Sequence, residues 1–131
     1  MTKIESSKRT IGKSSEDLYN LLSNFNNFEH LMPERVTNWS SDENHCRFTI
    51  SGIASLGMEI IERVPYSKIT MRDYEKVPFK FNFLVLLSAS NHEQTEVQLV
   101  FEADLNPMLK MVAKQPLTDF LEKLLDHLQK M

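Results

Sequence analysis

The stretch Asn106–Met131, NPMLKMVAKQPLTDFLEKLLDHLQKM, decides the fold. It opens on Asn-Pro, contains no glycine, and sets Leu109, Val112, Ala113, Leu117, Phe120, Leu121, Leu124, Leu125 and Leu128 mainly at three- and four-residue steps. That spacing makes one side of a helix apolar and leaves Lys110, Lys114, Asp119, Lys123, Asp126 and Lys130 on the other. At 1.5 Å per residue the helix is about 35–40 Å long, longer than most helices in a chain of this size. A helix that long needs a broad apolar partner. Everything from Arg35 to Asp104 reads as strands, so the partner is a sheet curved around the helix, and the space between them is the expected functional site.

From Arg35 the apolar period is two. Val36–Ser40 reads as a strand, Ser41–Asn44 as a polar turn, and His45–Ile50 as the return strand with Cys46, Phe48 and Ile50 on one face. Gly52 and Gly57 flank a short irregular connection and are positions where a sheet can bend. Met58–Val64 and Lys68–Tyr74 follow, then Phe79–Leu87 with Phe79, Phe81, Phe83, Val85 and Leu87 on one face. Thr95–Leu105 alternates Val97, Leu99, Phe101 and Ala103 against Glu96, Gln98, Glu102 and Asp104. Consecutive strands joined by short polar turns argue for an antiparallel sheet.

Upstream, Lys3–Ile11 reads as an edge strand. Ser14-x-x-Asp17 opens a helix in the manner of a capping box, with Asp17 where Glu or Gln is usual. Asn24 and Asn26-Asn27 interrupt the stripe Leu18, Tyr19, Leu21, Leu22, Phe25, Phe28, Leu31, which predicts two short helices, the second closed by Pro33. The whole chain, 1–131, reads as one domain of α+β class: about seven antiparallel strands wrapped around a long C-terminal helix, with two short helices after the first strand.

The bulk numbers exclude several classes. With 15 Lys and Arg against 18 Asp and Glu the net charge is −3, and no like-charge block suggests nucleic-acid binding. The single cysteine, Cys46, rules out an intrachain disulfide. The N-terminus has no apolar core of signal-peptide length and no run reaches membrane-span length, so a soluble, cytoplasmic protein without an integral membrane segment is expected.

The strand-then-two-helices opening through Phe28-Glu-His-Leu-Met-Pro33, the Val36-Thr-Asn-Trp39 strand and the closing Leu105-Asn-Pro-Met-Leu-Lys-Met-Val together resemble the START/Bet v 1-like (SRPBCC, polyketide cyclase-like) superfamily with its helix-grip fold. The match covers essentially the whole chain and is similar to the small bacterial members that carry no assigned activity. The resemblance implies an apolar internal cavity between sheet and long helix, no required cofactor, and ligands such as lipids, isoprenoids or polyketides.

Reactive chemistry is sparse. His30, His45, His92 and His127 have no metal-ligand spacing, so no metal is expected. Cys46 falls on an inward strand face without a partner to lower its pKa, which makes it structural. Three glycines leave no phosphate-cradling loop. No catalytic residue stands out, although Glu62 and Asp73 share strand faces with apolar residues. Glu62, inside its strand, is the better candidate for a polar group aimed into the interior. Pro116 removes a helix hydrogen bond and should kink the long helix, placing the cavity under Met108–Pro116.

The expected ligand-contacting set is therefore Phe81, Phe83, Phe101, Met108 and Met111 as apolar lining, with Glu62 as polar anchor. The expected function is binding of a small hydrophobic or amphipathic molecule. One alternative is a cyclase or dehydratase of the same fold, which needs an ionisable group inside. The other is an interaction module or homodimer using Leu84 and Leu86, which fall on the face opposite Phe83 and Val85.

Overall fold

A computed structural model describes all 131 residues. The strands are β1 (Thr2–Glu5), β2 (Arg9–Ile11), β3 (Val36–Ser41), β4 (His45–Ile50), β5 (Ala54–Val64), β6 (Lys68–Asp73), β7 (Phe81–Ala89) and β8 (Thr95–Ala103). The helices are α1 (Ser15–Leu22) and α2 (Pro107–Gln129), with 3₁₀ turns at Phe25–Asn27 and Glu29–Leu31. All eight strands form one antiparallel sheet in the order β1-β8-β7-β6-β5-β4-β3, with β2 also paired to β8. From β3 to β8 consecutive strands are neighbours, joined by short turns, whereas β1 and β2 return to pair with β8.

Local chemistry explains the boundaries. Ser14 caps α1 by accepting from the Asp17 amide at 3.1 Å. Asn24 caps the first 3₁₀ turn through the Asn26 amide. Asn106 caps α2, accepting from the Leu109 amide at 2.8 Å, and Pro107 occupies the first turn, where no amide donor is needed.

Three expectations change in detail. The single N-terminal edge strand is two, because Ser6 turns its side chain to the sheet and accepts from the Leu99 amide at 2.9 Å. The second short helix is a pair of 3₁₀ turns, too short to complete an α-helical ladder. The connection after Gly52 is already strand, and β5 runs 11 residues from Ala54.

The core lies between the concave face of the sheet and α2. Cys46, Phe48, Ile50, Ile69, Met71, Phe79, Phe81, Phe83, Val85, Val97, Leu99 and Phe101 are buried from the sheet, as the alternation requires. Leu117, Phe120, Leu121, Leu124, Leu125 and Leu128 meet them from α2, while Leu18, Leu22, Phe25, Phe28 and Leu31 complete the same cluster.

Candidate functional site

The inner wall of the grip is aromatic. Phe81 stacks on Phe101 with centroids 5.0 Å apart, and Phe83 meets Phe101 edge to face at 6.3 Å. Phe79 meets Phe81 edge to face, and Phe48 stacks on Phe120 of α2. Register explains the grouping: Phe83 pairs directly with Phe101, and Phe81 with Ala103, at the end of β8 from which α2 departs. Phe81, Phe83 and Phe101 are all buried, packed against one another.

Met108 and Met111 are elsewhere. They are 78% and 85% exposed, and with Val112 at 64% they form an apolar stripe on the solvent side of α2. The correction follows from helix geometry. Ala113, Leu117, Leu121, Leu124 and Leu128 fix which side of α2 faces the sheet, and Met108, Met111 and Val112 lie on the opposite side. None of the five principal surface hollows is lined by Met108, Met111, Phe83 or Phe101. Beneath Met108–Pro116 the side chain of Ala113 is buried against the core. Leu109, Leu105, Val77 and Ile53 are partly buried against the core.

Glu62 is also corrected. The β5–β6 register shifts between Ile60 and Glu62, so the one-residue bulge at Ile61 reverses the parity of the strand's second half. Glu62 then pairs across from Thr70 on the outer face. Its carboxylate accepts from the Thr70 hydroxyl at 3.0 Å and meets Lys68 Nζ at 3.0 Å. The Lys68 contact, then the Thr70 bond, hold its pKa below the usual value. Asp73 keeps its place across from Met58 and accepts from the Phe81 amide at 3.1 Å, a structural bond at the start of β7. The buried polar side chains are Ser6 and Thr95, and both bond backbone. Cys46 is the one ionisable side chain of the core, and burial pushes its thiol far up.

The two halves of α2 are held very differently. Arg9 Nη2 reaches Glu122 Oε1 at 2.8 Å and Arg9 Nη1 pairs with Asp126. The Ser7 amide and hydroxyl also donate to Glu122, at 2.6 and 2.7 Å. Gln129 donates to the Thr10 carbonyl, and His127 Nδ1 lies 2.8 Å from the Leu31 carbonyl. Burial works against ionised Glu122, but the Ser7 amide and hydroxyl and Arg9 overcome it and lower its pKa. The Arg9 bond does the same for Asp126. Before Glu122 the helix's side-chain bonds are local: the Asn106 cap, Gln115 to Asp119 and Thr118 to the Lys114 carbonyl.

The sheet's outer face gathers a second polar group that sequence spacing does not display. His45 sits 3.1 Å from Asp42 and 3.8 Å from Glu59, with its ring centroid 4.5 Å from that of Tyr74. Glu59 in turn binds Arg72 at 2.7 Å. Asp42 and His45 stand three residues apart in the chain, whereas Glu59 reaches His45 only through the β4–β5 register. No set of three or more His, Cys, Asp and Glu side chains is arranged to hold a metal ion.

An antiparallel sheet gripping one long C-terminal helix, with short helices after the first strands, is a helix-grip fold, and solved structures share it. The chain superposes on a START superfamily protein from Mycobacterium smegmatis with a TM-score of 0.72 at 14% identity, covering 98% of this chain and 94% of that one. Norcoclaurine synthase from Thalictrum flavum, solved with dopamine and hydroxybenzaldehyde, gives 0.71 at 14% identity, over 98% and 84%. The protein XoxI from Bacillus cereus gives 0.78 at 11% identity, over 99% and 94%. No family model and no curated protein sequence matches the chain. At these identities the likeness is one of fold. No helix is long and apolar enough to cross a membrane.

Proposed function

We propose that the protein binds a small apolar or amphipathic molecule, of lipid, isoprenoid or polyketide-like character, between the sheet and the first half of α2. The observation that carries this reading is the unequal anchoring of that helix. From Pro107 to Gln115 only Ala113 is buried, whereas Leu117–Leu128 supplies the other buried side chains of α2 and the Arg9 clamp holds Glu122 and Asp126. Pro116 stands at the boundary and lacks the amide that would tie the two halves together. Lifting the first half uncovers the Phe81–Phe101 stack while the second half stays packed.

Binding then exchanges side-chain packing for ligand packing. Each apolar Å² that the ligand removes from water contributes about 25 cal/mol, less the cost of moving the helix. Phe81, Phe83 and Phe101 supply the wall. We also assign the protein to the cytoplasm, in keeping with its single free thiol.

Native mass spectrometry of purified protein, followed by titration with a panel of fatty acids, isoprenoid alcohols and aromatic polyketides, tests the proposal. Wild type is expected to carry or take up one such molecule, and Phe81→Arg to lose it. No bound species and no binding across the panel overturns the reading.

A further inference from the structure

We propose that the first turns of α2 dock on an anionic lipid bilayer, with Met108, Met111 and Val112 entering the headgroup boundary. These three side chains follow the i, i+3 and i, i+4 steps of one helix face and so form one continuous apolar patch. They are three of the eight large apolar side chains that the molecule exposes, and Met111 is the most exposed of all. Ala113 and Leu117 hold the opposite side of the helix against the sheet, so the patch has no partner within the chain.

The charge around the patch is the reverse of the molecule's. The chain carries −3 in total, yet from Leu105 to Thr118 its charged residues are Lys110 and Lys114, with no Asp or Glu. Neither lysine forms a salt bridge. They stand one turn apart on one flank of the patch, and their long stems let the ammonium groups reach lipid phosphates while the methionines lie deeper. The carboxylates nearest in the chain, Asp104 and Asp119, lie beyond either end of this segment. Asp119 accepts from Gln115 at 2.9 Å and marks where the apolar face stops.

A bilayer fits this surface better than a protein does. None of the five principal surface hollows is lined by a residue from Leu105 to Thr118, so the patch is a ridge with no pocket for a partner's anchoring side chain. A fluid apolar phase needs no matching concavity, and flexible thioethers follow its irregular surface. A second copy seated on the same patch would bring four lysines and no carboxylate from these segments into one interface. Anionic headgroups supply the opposite charge that is missing. Three apolar side chains and two lysines make the attachment weak, reversible and sensitive to salt. Phe81, Phe83 and Phe101 take no part, so docking and ligand uptake can fail independently.

Co-sedimentation of the intact protein at low salt tests this, with vesicles of phosphatidylcholine alone and of equal parts phosphatidylcholine and phosphatidylglycerol. Binding is expected to the mixed vesicles, and at least about tenfold weaker to phosphatidylcholine. Lys110→Gln and Lys114→Gln should each weaken it about fivefold, the scale of one basic residue at such a surface. Met108→Ser combined with Met111→Ser should weaken it at least about tenfold with the thermal midpoint unchanged, since both side chains are exposed in the free protein. Lys123→Gln, an exposed charge on the clamped half of α2, should leave it unchanged. Hydrogen exchange on the mixed vesicles should slow at Met108–Gln115. No binding to the mixed vesicles, equal binding to both kinds, unchanged binding in the double Ser variant, or an equal loss in Lys123→Gln overturns the proposal. So does a dimer in light scattering that the double Ser variant abolishes, which would assign the patch to a second copy.

Discussion

At Gly57 a single missing atom lets two strands cross closely. A Cβ built there would lie 2.4 Å from the Tyr74 carbonyl oxygen, a backbone atom that cannot move aside. Gly57→Ala is therefore expected to lower stability by about 2–3 kcal/mol, measured by urea unfolding, because overpacking against backbone is relieved only by shifting strands. Cys46 is governed by the same enclosure. Burial raises its thiol pKa, so a thiol reagent should label it in the native protein only at the rate of unfolding. A rate following thiolate concentration in the folded state contradicts that. Glu62 illustrates how far one residue is legible: its identity and its place within a strand are in the sequence, whereas the bulge at Ile61 that turns it outward is not. Glu62→Gln should leave ligand uptake unchanged.

Among the elements, α2 carries the most contrast. Hydrogen exchange is expected to show amides of Leu109–Gln115 exchanging well before those of Leu121–Leu128, since only the latter are packed and clamped. Uniform protection along α2 contradicts the proposed movement of its first half. The clamp also sets a pH dependence. Glu122 and Asp126 have pKa values lowered in the folded state, so their contribution is complete above the unfolded-state values near 4. It is lost as pH falls through the lower, folded values. Unfolding midpoints should therefore hold from pH 7 to about 5 and decline below about 4. Arg9→Gln should lower the thermal midpoint by roughly 3–6 °C at pH 7, and the loss should shrink in acid, where the carboxylates are already protonated.

For the whole molecule, Phe81, Phe83 and Phe101 pack against one another inside the grip, and the proposed ligand competes with that packing. A ligand that binds only the folded state, held at about a hundred times its dissociation constant, should stabilise the protein by about 2.7 kcal/mol. The accompanying rise in thermal midpoint should vanish in Phe81→Arg. Opening must also be local. If ligand uptake exposed Leu117–Leu128 to exchange, the division of α2 at Pro116 would have no physical basis.

The sequence by itself determined the period-two strands, the caps at Ser14 and Asn106, and the long amphipathic helix, because these depend on neighbours a few residues apart. It also determined which sheet residues face inward wherever the alternation is unbroken, from Phe79 to Leu87 and Thr95 to Ala103. Only the tertiary structure decided the rest. It placed Met108 and Met111 in solvent, because Ala113, Leu117 and Leu121 turn the opposite side of α2 to the sheet. It turned Glu62 outward at a bulge and brought Arg9 onto Glu122 and Asp126, 113 and 117 positions away. It also set His127 Nδ1 2.8 Å from the Leu31 carbonyl. Such meetings depend on register and on how the chain returns in space, and no local spacing encodes either.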